Sequence, residues 1–115
     1  MENKLIAKNN KGEIVKFKIR DIGKGFKFTI CSRSNLTEII SIPNIHINDL
    51  FFTENQLTSL PELPQTLECL YCKNNKIEKL PNLTKLQNLK EVYCDIQCFE
   101  HYMLEMENIK FDFFC

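Results

Sequence analysis

Cys69-x-x-Cys72 and Cys94-x-x-x-Cys98 form two close thiol pairs separated by 21 residues. Paired thiolates at that spacing are what a tetrahedral zinc ion takes as ligands. A smaller grouping, Cys94, Cys98, His101 and Cys115, would meet if the C-terminus folds back on itself. Phe51, Tyr71 and Tyr93 make a third set, flanked two positions earlier by Asp49, Cys69 and Glu91 and two positions later by Thr53, Lys73 and Asp95. Aromatic rings rimmed by charge are enriched at protein-binding surfaces. A fourth set, Lys16, Lys18, Arg20, Lys24 and Lys27, carries charge that suits the phosphates of nucleic acid or an acidic membrane surface. No nucleophile and base fall into a hydrolytic motif around His46 or His101, and Gly23-Lys24-Gly25 is a turn rather than a phosphate loop. The chain therefore reads as non-enzymatic, with no cofactor.

The elements that position these residues belong to one small domain. The 115 residues (13.6 kDa) are 43% hydrophobic and 26% charged, a globular composition. Six cysteines without a secretory leader point to reduced thiols and a cytoplasmic setting. No apolar run reaches the roughly 18–20 residues that cross a bilayer. The net charge of zero hides an asymmetry: residues 1–33 hold nine Lys or Arg against three acids, residues 34–115 six Lys against twelve. A basic head precedes an acidic body.

A repeat organises that body. From Leu67 the chain reads L-x-x-L-x-C-x-x-N-x-I-x-x-L-P-x-L through Leu70, Cys72, Asn75, Ile77, Leu80, Pro81 and Leu83. Twenty residues earlier Ile47, Leu50, Phe52, Asn55, Leu57, Leu60, Pro61 and Leu63 repeat it, and Leu89, Val92 and Cys94 begin it again with Gln97 in place of the Asn. Partial copies lie at Ile39–Ile45 and Met106–Phe111. This pattern resembles the leucine-rich repeat, and the Leu-Pro-x-Leu-Pro string resembles the short repeats of bacterial effector and giant-virus proteins. The resemblance implies a β-rich α/β fold. It would be a short solenoid of about 3–5 coils with parallel strands on its concave face, engaging a partner protein in a host-interaction setting. The domain plan is a β-meander cap over 1–35, repeats over 36–98 and a C-terminal cap over 99–115.

The physics of the pattern leads the same way. Residues two apart on a strand share a face, so Leu70 and Cys72 point inward while Cys69 and Tyr71 point out. Cys69 and Cys72 are then not expected to share one metal ion, since a buried cysteine more often serves as a small apolar residue, and a small zinc-binding protein is the alternative reading. Stacking the coils aligns Phe51, Tyr71 and Tyr93 in an outward column, with Asp49, Lys73, Glu91 and Asp95 on its rim. The rings either bind a partner or stabilise the strands by packing on one another. Each Asn closes the turn after its strand, which Gln97 is too long to copy. Pro61 and Pro81 favour an extended return segment. At the ends, Lys4–Lys8, Glu13–Ile19 and Phe26–Cys31 are expected to form an antiparallel meander with one apolar and one basic face. Phe99–Met106 is expected to be a short helix. The basic face has no aromatic residue to stack a base, and a lysine-studded edge also guards a sheet against aggregation.

Overall fold

The computed structural model describes residues 3–95 and the backbone of Lys110–Asp112. Among the described residues nine strands build two sheets: β1 (Lys4–Asn9), β2 (Ile14–Lys18), β3 (Arg20–Asp21), β4 (Lys27–Ile30), β5 (Leu36–Ser41), β6 (Asp49–Phe51), β7 (Cys69–Tyr71), β8 (Glu91–Tyr93) and β9 (Lys110–Asp112). A three-stranded antiparallel sheet runs β2-β1-β5, and a six-stranded mixed sheet runs β3-β4-β6-β7-β8-β9. Among the described residues there is no helix. The fold is therefore all-strand, which corrects the expected α/β solenoid with a helical cap. The return segments explain it: Pro61 and Pro81 remove donors and fix φ, and the stretches between β6, β7 and β8 are irregular. Phe99–Met106 lies outside the described residues.

The expected three-stranded N-terminal meander does not form. Strands β1 and β2 form a hairpin in the register Lys4↔Lys18, Ile6↔Lys16 and Lys8↔Ile14. The Asn9 side chain accepts the N–H groups of Lys11 and Glu13, both at 3.0 Å, and Gly12 takes φ 78° to complete the turn. The third predicted strand leaves this sheet. β4 meets only the two-residue β3 on one side and pairs in parallel with β6 on the other, while β5 takes the free edge of β1. The reason lies in β4's inward residues. Thr29 and Cys31 are fully buried beside Leu50 and Phe52 of the next coil, and the Thr29 hydroxyl donates to the carbonyl of Lys18 at 3.1 Å.

From β4 onward the mixed sheet is a parallel ladder whose strands recur every 19–22 residues. Its registers are Phe28↔Asp49, Asp49↔Cys69, Cys69↔Glu91 and Glu91↔Lys110. After β4, β6 and β7 the chain passes through a left-handed residue: Arg33 at φ 53°, Glu54 at 58° and Asn74 at 60°. An asparagine then ties neighbouring coils together. The Asn55 side-chain oxygen accepts the N–H groups of Ser34 and Leu36, both at 3.0 Å, and its amide donates to the carbonyls of Cys31 and Phe52, both at 2.9 Å. Asn75 repeats the arrangement on Leu57, Phe52 and Cys72. Leu50, Phe52, Leu57, Leu60, Leu67, Leu70, Cys72, Ile77, Leu80, Leu89, Val92 and Cys94 all lie in one buried core. Leu5, Ala7, Leu36 and Ile39 join that core from the antiparallel sheet, so the two sheets share a single interior.

Candidate functional site

The outward face of the ladder carries the aromatic column. Phe51, Tyr71 and Tyr93 are direct register partners on β6, β7 and β8. Their rings lie nearly parallel: Phe51 and Tyr71 have centroids 4.4 Å apart at 8°, Tyr71 and Tyr93 4.7 Å apart at 4°. In-register parallel strands impose this spacing, since adjacent strands lie about 4.8 Å apart. Stacked rings contribute about 0.5–1.5 kcal/mol per pair beyond the area they bury, so the column stiffens the sheet as well as lining its surface. All three residues are half-buried.

The column extends further than the sequence indicated. Ile30 of β4 is the register partner of Phe51 and is 51% exposed. Phe28, two residues earlier, meets the Phe51 ring edge-on at 6.3 Å. The signal for this coil was present in the spacing: Cys31, Leu36 and Ile39 stand 21 residues before Phe52, Leu57 and Leu60. It was hidden because a threonine fills the position of the second leucine.

Beside the rings runs the second outward column, Asp49, Cys69 and Glu91. The two columns are hydrogen-bonded to each other. The Tyr93 hydroxyl donates to the Glu91 carboxylate, the Tyr71 hydroxyl bonds Cys69, and the Cys69 thiol bonds the Asp49 carboxylate. Burial holds the Asp49 carboxyl above its ordinary range, helped by the charge of Glu68. Glu68 itself is pulled down, first by the Asn48 amide that donates to it and then by Lys90, whose ammonium lies 3.1 Å away. Burial likewise raises the Cys69 thiol and the Tyr71 hydroxyl. Both of these last shifts favour the protonated thiol and phenol at neutral pH.

Asp95, expected on the binding rim, has a structural job. Its carboxylate accepts the N–H groups of Asn74 at 3.0 Å and Asn75 at 3.2 Å. In the coil where Gln97 replaces the asparagine, an acid two residues earlier thus captures the preceding turn. Gln97 lies outside the described residues. Lys73, also expected on the rim, is half-buried, and its carbonyl accepts the Glu54 N–H at 2.9 Å.

The thiols divide as the strand alternation requires. Cys69 is half-exposed on the outer face, whereas Cys31, Cys72 and Cys94 are buried in the core. Among the described residues no three His, Cys, Asp or Glu side chains come together to hold a metal ion. The alternative grouping with Cys98, His101 and Cys115 lies outside the described residues. No described helix is long and apolar enough to cross a membrane. The chain matches no protein family, no curated protein and no solved structure.

Proposed function

We propose that this chain is a non-catalytic protein-binding module that engages its partner through the outward face of the parallel ladder. The observation that carries the reading is the half-exposed ring column Phe51–Tyr71–Tyr93, prolonged by the exposed Ile30. Rings locked against one another by stacking lose little side-chain entropy on binding, which suits them as anchors. Asp49 and Glu91 supply the polar rim. The repeat's likeness to short leucine-rich repeats supports the same class of function and suggests a host protein met in the cytoplasm. As anchors, one or two of the rings would dominate affinity, each costing about 2 kcal/mol or more on truncation.

The test is capture from cytosolic lysate by the wild type beside a Tyr71→Ala, Tyr93→Ala double variant, once circular dichroism shows both folded. A protein retained by the wild type and lost by the variant supports binding at the column. Identical retention by the two, or none by either, leaves the column an architectural device and overturns the reading.

A further inference from the structure

The outer face of the antiparallel sheet carries a second surface of different chemistry. On β1 and β2 the inner residues Leu5, Ala7, Val15 and Phe17 face the core. The register therefore places Lys4 beside Lys18, Ile6 beside Lys16 and Lys8 beside Ile14 on the opposite face. Strand β5 adds Glu38 beside Lys8, with their charged groups 4.0 Å apart. It also adds Ile40, which the register shift between Ile39 and Ser41 leaves without a partner on β1. Among the described residues Glu38 answers Lys8, and the exposed Lys16 and Lys18 give this face its positive charge.

Two features of the face are costly in isolation. Lys18 lies opposite Lys4 and Lys16 opposite Ile6, so neither β2 lysine faces an acid across the strands. Ile14 is 54% exposed and Ile40 41% exposed, large aliphatic groups set among the lysines. A lysine-guarded edge accounts for the charge on β2 but not for the isoleucines, nor for lysines on the central strand β1. Phosphate groups of nucleic acid would gain from the lysines and nothing from exposed isoleucine. Among the described residues this face carries no aromatic ring to stack a base. A surface that is negative outside and hydrocarbon just beneath uses both kinds of residue.

We propose that the outer face of the β2-β1-β5 sheet docks on anionic phospholipid membranes. Lys4, Lys8, Lys16 and Lys18 would lie over the headgroups, and Ile14 and Ile40 would reach the acyl boundary. The docking is peripheral and independent of the ring column, which lies on the other sheet and stays available to a protein partner.

Sedimentation of the full chain with sucrose-loaded vesicles tests this. Phosphatidylcholine vesicles are compared with phosphatidylcholine–phosphatidylserine vesicles, and a DNA duplex provides a separate binding assay. The expected result is partition onto the serine-lipid vesicles alone, weakening as salt rises. Each lysine near such a surface contributes about 5-fold to partition, so Lys16→Gln with Lys18→Gln is expected to lower it about 25-fold. Both residues are exposed, and circular dichroism checks that the variant folds. Ile14→Ser with Ile40→Ser is expected to lower partition several-fold while leaving its salt dependence unchanged. Equal partition onto the two kinds of vesicle, binding to the duplex but not to vesicles, or an isoleucine variant that partitions like the wild type would each overturn the proposal.

Discussion

Replacing Asn55 with alanine isolates what the asparagine positions contribute. Asn55 is 8% exposed and makes four hydrogen bonds of 3.0 Å or less to the backbone of Cys31, Ser34, Leu36 and Phe52. A typical intramolecular hydrogen bond contributes about 1 kcal/mol net, and a buried N–H left without an acceptor costs about 1–3 kcal/mol. Leu36, whose N–H loses that acceptor, is itself fully buried. The expected loss for Asn55→Ala is therefore about 3–5 kcal/mol, out of a total of about 5–15 kcal/mol for a domain of this size. Asn75 is less buried, and its side-chain oxygen accepts from Leu57 at 3.0 Å. Asn75→Ala should cost about 2–3 kcal/mol on the same reasoning. Urea unfolding followed by far-UV circular dichroism measures both, with an unchanged m-value showing that stability alone has moved. A loss under about 1 kcal/mol for Asn55→Ala, or a larger loss for Asn75→Ala than for Asn55→Ala, would refute the role assigned to the amides.

The two acids behind the ring column respond oppositely to pH. Asp49 has a folded pKa raised above 3.8, so its native state holds the proton more tightly and its contribution to stability falls as pH rises through that window. Glu68, lowered from 4.5, contributes stability above that value and loses it as pH falls further. Asp49→Asn should accordingly raise the melting temperature at about pH 7 and give no gain at about pH 3; equal shifts at the two would contradict the assignment. The thiols offer a separate check by peptide-resolved alkylation. Burial pushes the Cys31 thiol up to about 12, so the half-exposed Cys69 should be labelled first and Cys31 only as the native state opens. Labelling of Cys31 ahead of Cys69 would show that the coil beginning at β4 is not held in the core.

The ladder was legible because its signal repeats. Leu50, Leu70 and Val92 recur at intervals of about one coil, and a period read from such residues fixes the register of every neighbour, including the outward rings. The first coil was not legible, since Thr29 disguises the inward position and Phe26–Cys31 alternates as well for a hairpin as for a ladder. Alternation states that a strand has an inside, not which strand lies beside it. The partnership of β1 with β5 was hidden for the same reason, as Ile39 satisfies both a repeat position and a sheet interior. Asp95 shows a further limit. An acid on a rim and an acid accepting two backbone N–H groups are the same letter, and only the turn it faces decides between them.

The asparagine that joins one coil to the next also makes the coil a unit of change. Asn75 bonds the turn before it and its own turn, and asks nothing of more distant coils. A duplicated stretch of one coil, entering between β6 and β7, would bring its own ring, inward residues and amide, and would present to each neighbour the surface that neighbour already fits. Such a chain can lengthen in whole-coil steps without redesigning its interior. The N-terminal end has no such freedom: the coil starting at β4 sends its return segment into the other sheet as β5, so it belongs to two structures at once. Evolutionary variation in length should therefore collect in the middle of the ladder, while the junction at residues 27–41 stays fixed.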